Sequence, residues 1–197
     1  MPPPTAAAVC KIRKAVKSDA REIAKLFLIA SDGLAEYIWS GLQSPGMDLL
    51  DVGEARYARE NTIFSYQNCM MAEREGEIAG MLHCHPETEP PEEVRVSDPV
   101  LQPYLELELS GSLYISGIAV RETHRGLGIG TDLMRWAFVH ASELKLNKVS
   151  LICFERNEAA LRLYHRLGFS EVDRRAIVPH PMLHYRNGDA VLMARDV

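Results

Sequence analysis

Three observations predict an α+β fold. Seven short runs have the alternation or apolar density of β-strands, amphipathic helix-length segments are interspersed among them, and a glycine-rich turn leads from one strand into a helix. The 197 residues fit one domain, 1–197, large enough to bury a proper core.

Lys11–Val16 alternates apolar and polar side chains and reads as the first strand. Asp19 followed by Glu22 has the spacing of a capping box, opening a helix with Ile23, Leu26, Phe27 and Ala30 on one face. Residues 31–62 read as helical in pieces, broken at Ser44-Pro45-Gly46, with Glu54–Asn61 a short helix. Tyr66–Arg74 and Ile78–His85 flank Glu75-Gly76-Glu77 as a hairpin. The acidic, proline-rich residues 86–104 read as an inserted loop, and residues 1–9 as a loose tail.

The fourth strand is Ser112–Val120, and the helix after the glycines, Asp132–Leu144, turns Leu133, Trp136, Ala137 and Leu144 inward. Lys148–Phe154 is apolar enough for a central strand. Asn157 suits the cap of the next helix, Gly168 its left-handed end, and Phe169 anchors the turn that follows. Val172–Val178 and Ala190–Arg195 complete the strands, joined by an exposed loop at 179–188.

Composition narrows the function classes. With 47% hydrophobic and 25% charged residues the chain reads as an ordinary soluble protein, and no apolar run approaches the roughly 18–20 residues of a membrane span. The first residues lack the basic and long apolar stretches of a secretory signal. Cys10, Cys69, Cys84 and Cys153 are scattered without a C-x-x-C pair, which fits reduced thiols and a cytoplasmic location. A strand puts His83 and His85 on one face and Cys84 on the other, short of the four converging ligands that zinc wants, so no metal is assigned. A net charge of −5 without a basic stripe argues against nucleic acid and is compatible with a cationic amine.

Arg125-Gly126-Leu127-Gly128-Ile129-Gly130-Thr131 carries the most specific chemistry. A helix N-terminus leaves backbone N–H groups without partners and concentrates partial positive charge, so an anion can complete it. Glycines remove the Cβ atoms that would keep a diphosphate off the backbone, and Arg125 adds a guanidinium. The spacing excludes a G-x-G-x-x-G dinucleotide fingerprint, and the absence of Gly-Lys-Ser/Thr excludes a P-loop. A glycine-rich turn without a ligand remains the alternative reading of this segment alone.

Leu113–Val120, Arg125–Gly130 and Asn157–Phe169, taken together, resemble the GNAT superfamily of acyl-CoA-dependent N-acyltransferases. Arg125, Gly128 and Gly130 fit that family's Arg/Gln-x-x-Gly-x-Gly/Ala loop, and Asn157, Tyr164, Gly168 and Phe169 fit its second signature. The resemblance implies a mixed, mostly antiparallel sheet of about seven strands with helices on both faces, splayed between strands four and five. It implies acetyl-CoA as co-substrate, its pyrophosphate on residues 125–131. The backbone of Ile118, Ala119 and Val120 would bond the pantetheine and thioester, with Asn157 also on the pantetheine arm and the Tyr164 hydroxyl as general acid. An acetyl group would pass directly to a primary amine, of a small molecule or a peptide, in a ternary complex; a non-catalytic acyl-CoA sensor is the alternative, and a homodimer is compatible with the sequence.

The general base stays unassigned. Ser112, Tyr114 and Ser116 occupy the nearest strand positions, Glu106 and Glu108 lie upstream, and His83 or His85 is on the neighbouring strand. Each has an ordinary reading as a surface carboxylate or half-buried histidine.

Overall fold

A computed structural model describes residues 10–87 and 98–197. The strands β1 (Lys11–Lys14), β2 (Cys69–Arg74), β3 (Glu77–Pro86), β4 (Ser112–Val120), β5 (Lys148–Phe154), β6 (Ser170–Ala176) and β7 (Asp189–Asp196) form one sheet in the order β1-β2-β3-β4-β5-β7-β6. Neighbours run antiparallel except β4 and β5, which are parallel. Helices α1 (Ala20–Ala30), α2 (Leu34–Ser40) and α3 (Leu49–Tyr57) pack on one face, while α5 (Ile129–Glu143) and α6 (Glu158–Arg166) pack on the other; α4 (Gln102–Leu105) is a single turn.

The two-residue period of the strands distributes the core between the faces. Met70 and Ala72 of β2 join Leu133, Met134 and Ala137 of α5 in one cluster, and Cys69 and Met71 join Ile23, Leu26 and Phe27 of α1 in the other.

On β4 the period slips once. His83 pairs with Gly117 but Cys84 with Ile115, leaving Ser116 as one extra residue. That bulge lets Leu113, Ile115, Ile118 and Val120 all face α5, while Ala119 turns to α1. It also ends the β4–β5 ladder. Pairing runs from Ser112↔Lys148 to Ile115↔Leu151 and stops, although β5 continues to Phe154 against β7. The strands therefore part after Ile115, as the resemblance implies, and expose the β5-facing backbone of residues 116–120.

Several local expectations are corrected. Asp19 does not cap α1 with its side chain, because its carboxylate accepts from the Val16 amide and pairs with Arg13. Glu22 is likewise drawn away, pairing with Lys25 and Arg121. The short helix lies at Leu49–Tyr57 rather than 54–61, because Asp48 and Asp51 form a reciprocal capping box five residues earlier. Leu144 follows α5 and is 42% exposed; Met134 and Ala141 fill the inward face instead. The expected tail at 1–9 and most of the expected loop at 86–104 lie outside the described residues, although Gln102–Leu105 is helical.

Candidate active site

The parting of β4 from β5 opens a cleft of about 210 Å³. Ile118, Ala119 and Val120 line it from β4, Arg125 from the loop, and Asn157 and Tyr164 from α6. Six residues chosen from the sequence, spread over 47 positions, thus share one wall-to-wall space.

Gly126, Leu127, Gly128, Ile129, Gly130 and Thr131 run from Arg125 into the first turn of α5 rather than lining that cleft. Gly126 and Gly128 adopt φ of 77° and 82°, which glycine reaches at no steric cost, and a Cβ added at either would meet nothing within 4 Å. The Ile129 side chain is buried in the core and Leu127 is exposed, so what this segment offers a ligand is its backbone. Among the described residues no side chain caps α5, whose first N–H groups point out of the helix end. An open glycine cradle, an uncapped helix end, a guanidinium and an unpaired strand edge fit the diphosphate and amide-bearing arm of coenzyme A.

Asn157 is the N-cap of α6: its Oδ1 accepts from the Ala160 amide, and its Nδ2 donates to Oδ2 of Asp32 at 3.1 Å. Tyr164 lies two turns on, nearly buried against Phe169. Burial, then Cys153, Asp32 and Tyr114, pushes its phenol well above the ordinary value, so it keeps its proton at neutral pH.

A second cavity of about 360 Å³ lies on the α1 side of the sheet. Its walls are largely apolar, from Phe27, Trp39, Phe64 and Phe154, with carboxylates at Asp32, Glu87 and Glu108 and a cation at Arg56 over the Phe64 ring. Burial and the neighbouring Glu108 push Glu87 up to about 7. The Tyr104 hydroxyl is buried there without a hydrogen-bond partner among the described residues. Ala30, Asp32 and Ile152 line both cavities.

Of the base candidates, His83 is disqualified. It is fully buried, its Nε2–H donates to the Ile63 carbonyl, and its Nδ1 accepts from Ser116 and faces the Tyr57 hydroxyl. Burial lowers it to about 4, so it is a neutral packing residue. His85, Tyr114, Ser116 and Glu108 do line the second cavity, whereas Ser112 is buried against Ser150 and Glu106 pairs with Arg175. Among the described residues no three His, Cys, Asp or Glu side chains are grouped to hold a metal, and no helix is long and apolar enough to cross a membrane.

Asp32 was missed by sequence reasoning. Its one local signal is the Asp32-Gly33 dipeptide, a turn signature between two helical segments. The residue sits at φ 49°, in the left-handed region that Asp tolerates better than most side chains.

Residues 37–169 match the acetyltransferase (GNAT) family. The spermine/spermidine N(1)-acetyltransferase of Bacillus subtilis is 33% identical over 67 residues, 34% of this chain; the chain spans 44% of that relative's length. An N-acetyltransferase structure from Staphylococcus aureus Mu50 superposes with a TM-score of 0.65 at 22% identity, covering 94% of this chain and 100% of that one. A putative acetyltransferase of Salmonella typhimurium, solved with its cofactor acetyl-CoA, gives 0.60 at 19% identity over 95% and 93%. At these identities the solved structures establish the fold.

Proposed function

Because the chain belongs to the acetyltransferase (GNAT) family, we propose that it moves an acetyl group from acetyl-CoA to a primary amine by direct attack in a ternary complex. The observation that carries this reading is the junction of two cavities at Asp32 and Ile152, one lined by the family's donor-side residues and the other apolar and acidic. When bound, acetyl-CoA supplies the thioester carbon that the amine attacks.

The chain's own residues do the rest. The N–H groups at the start of α5 and Arg125 hold the pyrophosphate, and the unpaired edge of β4 at Ile118–Val120 hydrogen-bonds the arm and polarises the carbonyl. Tyr164 keeps a proton available for the departing sulfur. Asp32, Glu87 and Glu108 give the second cavity the charge to receive an ammonium, and the relative's named substrates, spermine and spermidine, are cationic amines.

The test is a screen of primary amines, spermidine included, for thiol release from acetyl-CoA, with thermal shift by coenzyme A alongside. Ligand at a hundred times its Kd adds about 2.7 kcal/mol of stability. Stabilisation without thiol release for any amine would identify an acyl-CoA sensor instead.

A further inference from the structure

Among the described residues Asp32 is the one ionisable side chain that lines both cavities. It lies in the three-residue turn between α1 and α2, and two segments far away in the chain fix it there. Asn157 donates to one carboxylate oxygen, and His184 approaches the other at 3.7 Å while its backbone N–H donates to the Asp32 carbonyl at 3.0 Å. The adjoining Gly33 packs so closely under Met182 and Leu183 that a Cβ there would lie 2.1 Å from the Met182 oxygen. Its charge also acts on Tyr104, Tyr164, Tyr185 and Cys153, all of which hold their protons at neutral pH, and Arg125 lines the same cleft.

We propose that Asp32 is the catalytic base: it receives the acceptor's ammonium at the mouth of the donor cleft and takes its proton, with Asn157 as its positioning residue. The step rests on the acetyl-transfer reading above. One N–H bond breaks and one O–H bond forms, so that R–NH3+ and the carboxylate become R–NH2 and a carboxylic acid, and the nitrogen lone pair is freed for attack. The proton leaves to bulk water past His184, whose side chain is 55% exposed. Burial raises the pKa of a carboxyl and lowers that of an ammonium, so the desolvated pair is brought towards transfer; the Asp32 pKa is accordingly shifted upward by burial, partly offset by Asn157 and His184.

The experiment uses the amine that gives the fastest thiol release, its alcohol analogue, and the variants Asp32→Asn and Asn157→Ser. Asn accepts the left-handed backbone and Ser still caps a helix, so both substitutions suit the local backbone. Asp32→Asn is expected to lose at least about 100-fold in kcat and to bind the amine at least tenfold more weakly by calorimetry, while binding of the alcohol and the thermal shift by coenzyme A are unchanged. Asn157→Ser is expected to move the acidic limb of the kcat/KM profile to higher pH, because a hydrogen bond that favours the carboxylate is gone. Should Asp32→Asn fail to fold, that displacement decides by itself. Wild-type kcat and amine affinity in Asp32→Asn, or an unmoved limb in Asn157→Ser, overturns the assignment. A wild type that releases no thiol with any amine overturns the acetyl-transfer reading instead.

Discussion

The side-chain amide of Asn157 donates to Asp32 across 125 positions of sequence and 3.1 Å of space. One residue thereby caps α6, through its Oδ1, and ties that helix to the α1–α2 turn, through its Nδ2. The contact joins the helix that carries Tyr164 to the turn whose Asp32 lines both cavities.

Tyr164→Phe removes a hydroxyl and leaves the ring that packs on Phe169. The expected outcome is a fall in kcat of about 10²- to 10⁴-fold with the thermal shift by coenzyme A unaltered. Steady-state kinetics beside a melting curve checks it.

Gly130 and Gly128 separate fold from ligand. A Cβ at Gly130 would make ordinary contact, 3.7 Å from Val120 Cγ2, and alanine in a helix is favoured over glycine by about 0.5–1 kcal/mol. Gly130→Ala is therefore expected to hold or raise Tm while weakening coenzyme A at least tenfold. Gly128→Val, forced to φ 82°, is expected to abolish binding more completely than Arg125→Ala. Calorimetric titration of the three variants ranks backbone approach against side-chain charge.

Gly117→Ala would place a Cβ 2.8 Å from Phe27 Cε2. Phe27 cannot yield readily, being packed edge-on against Tyr57, Phe64 and His83. A loss of about 1–3 kcal/mol is expected from overpacking, read from urea denaturation.

His83 confers acid sensitivity. Its ordinary value of 6.5 in the unfolded chain falls to about 4 in the fold. A depressed value means that the stability it confers is complete above pH 6.5 and is lost as pH falls towards 4, about 3 kcal/mol in all. His83→Gln is expected to be less stable at pH 7 yet to show a flatter decline over that window. Thermal melts from pH 7 to 4 in both proteins measure the difference.

The local code was legible where one residue type has one use. The apolar runs of β4 and β5 mark both strands over their full extent, and Asn157 and Gly168 mark the start and end of α6. It misled where neighbours compete for the same group. Asp19 looks like a cap until Arg13 and the Val16 amide claim its carboxylate, and Asp48 rather than Glu54 starts α3 because its partner Asp51 answers it.

By itself the sequence determined the α+β class, the glycine turn and the candidates that line the β4–β5 cleft, because these follow from chain periodicity, backbone freedom and helix-end electrostatics, all local in sequence. Only the tertiary structure decided that β4 parts from β5 at the Ser116 bulge, that His83 is sealed and neutral, and that Asp32 stands where the two cavities meet. Those outcomes depend on pairing register and on burial by segments up to 152 positions away, such as His184 against Asp32, and no local pattern encodes them.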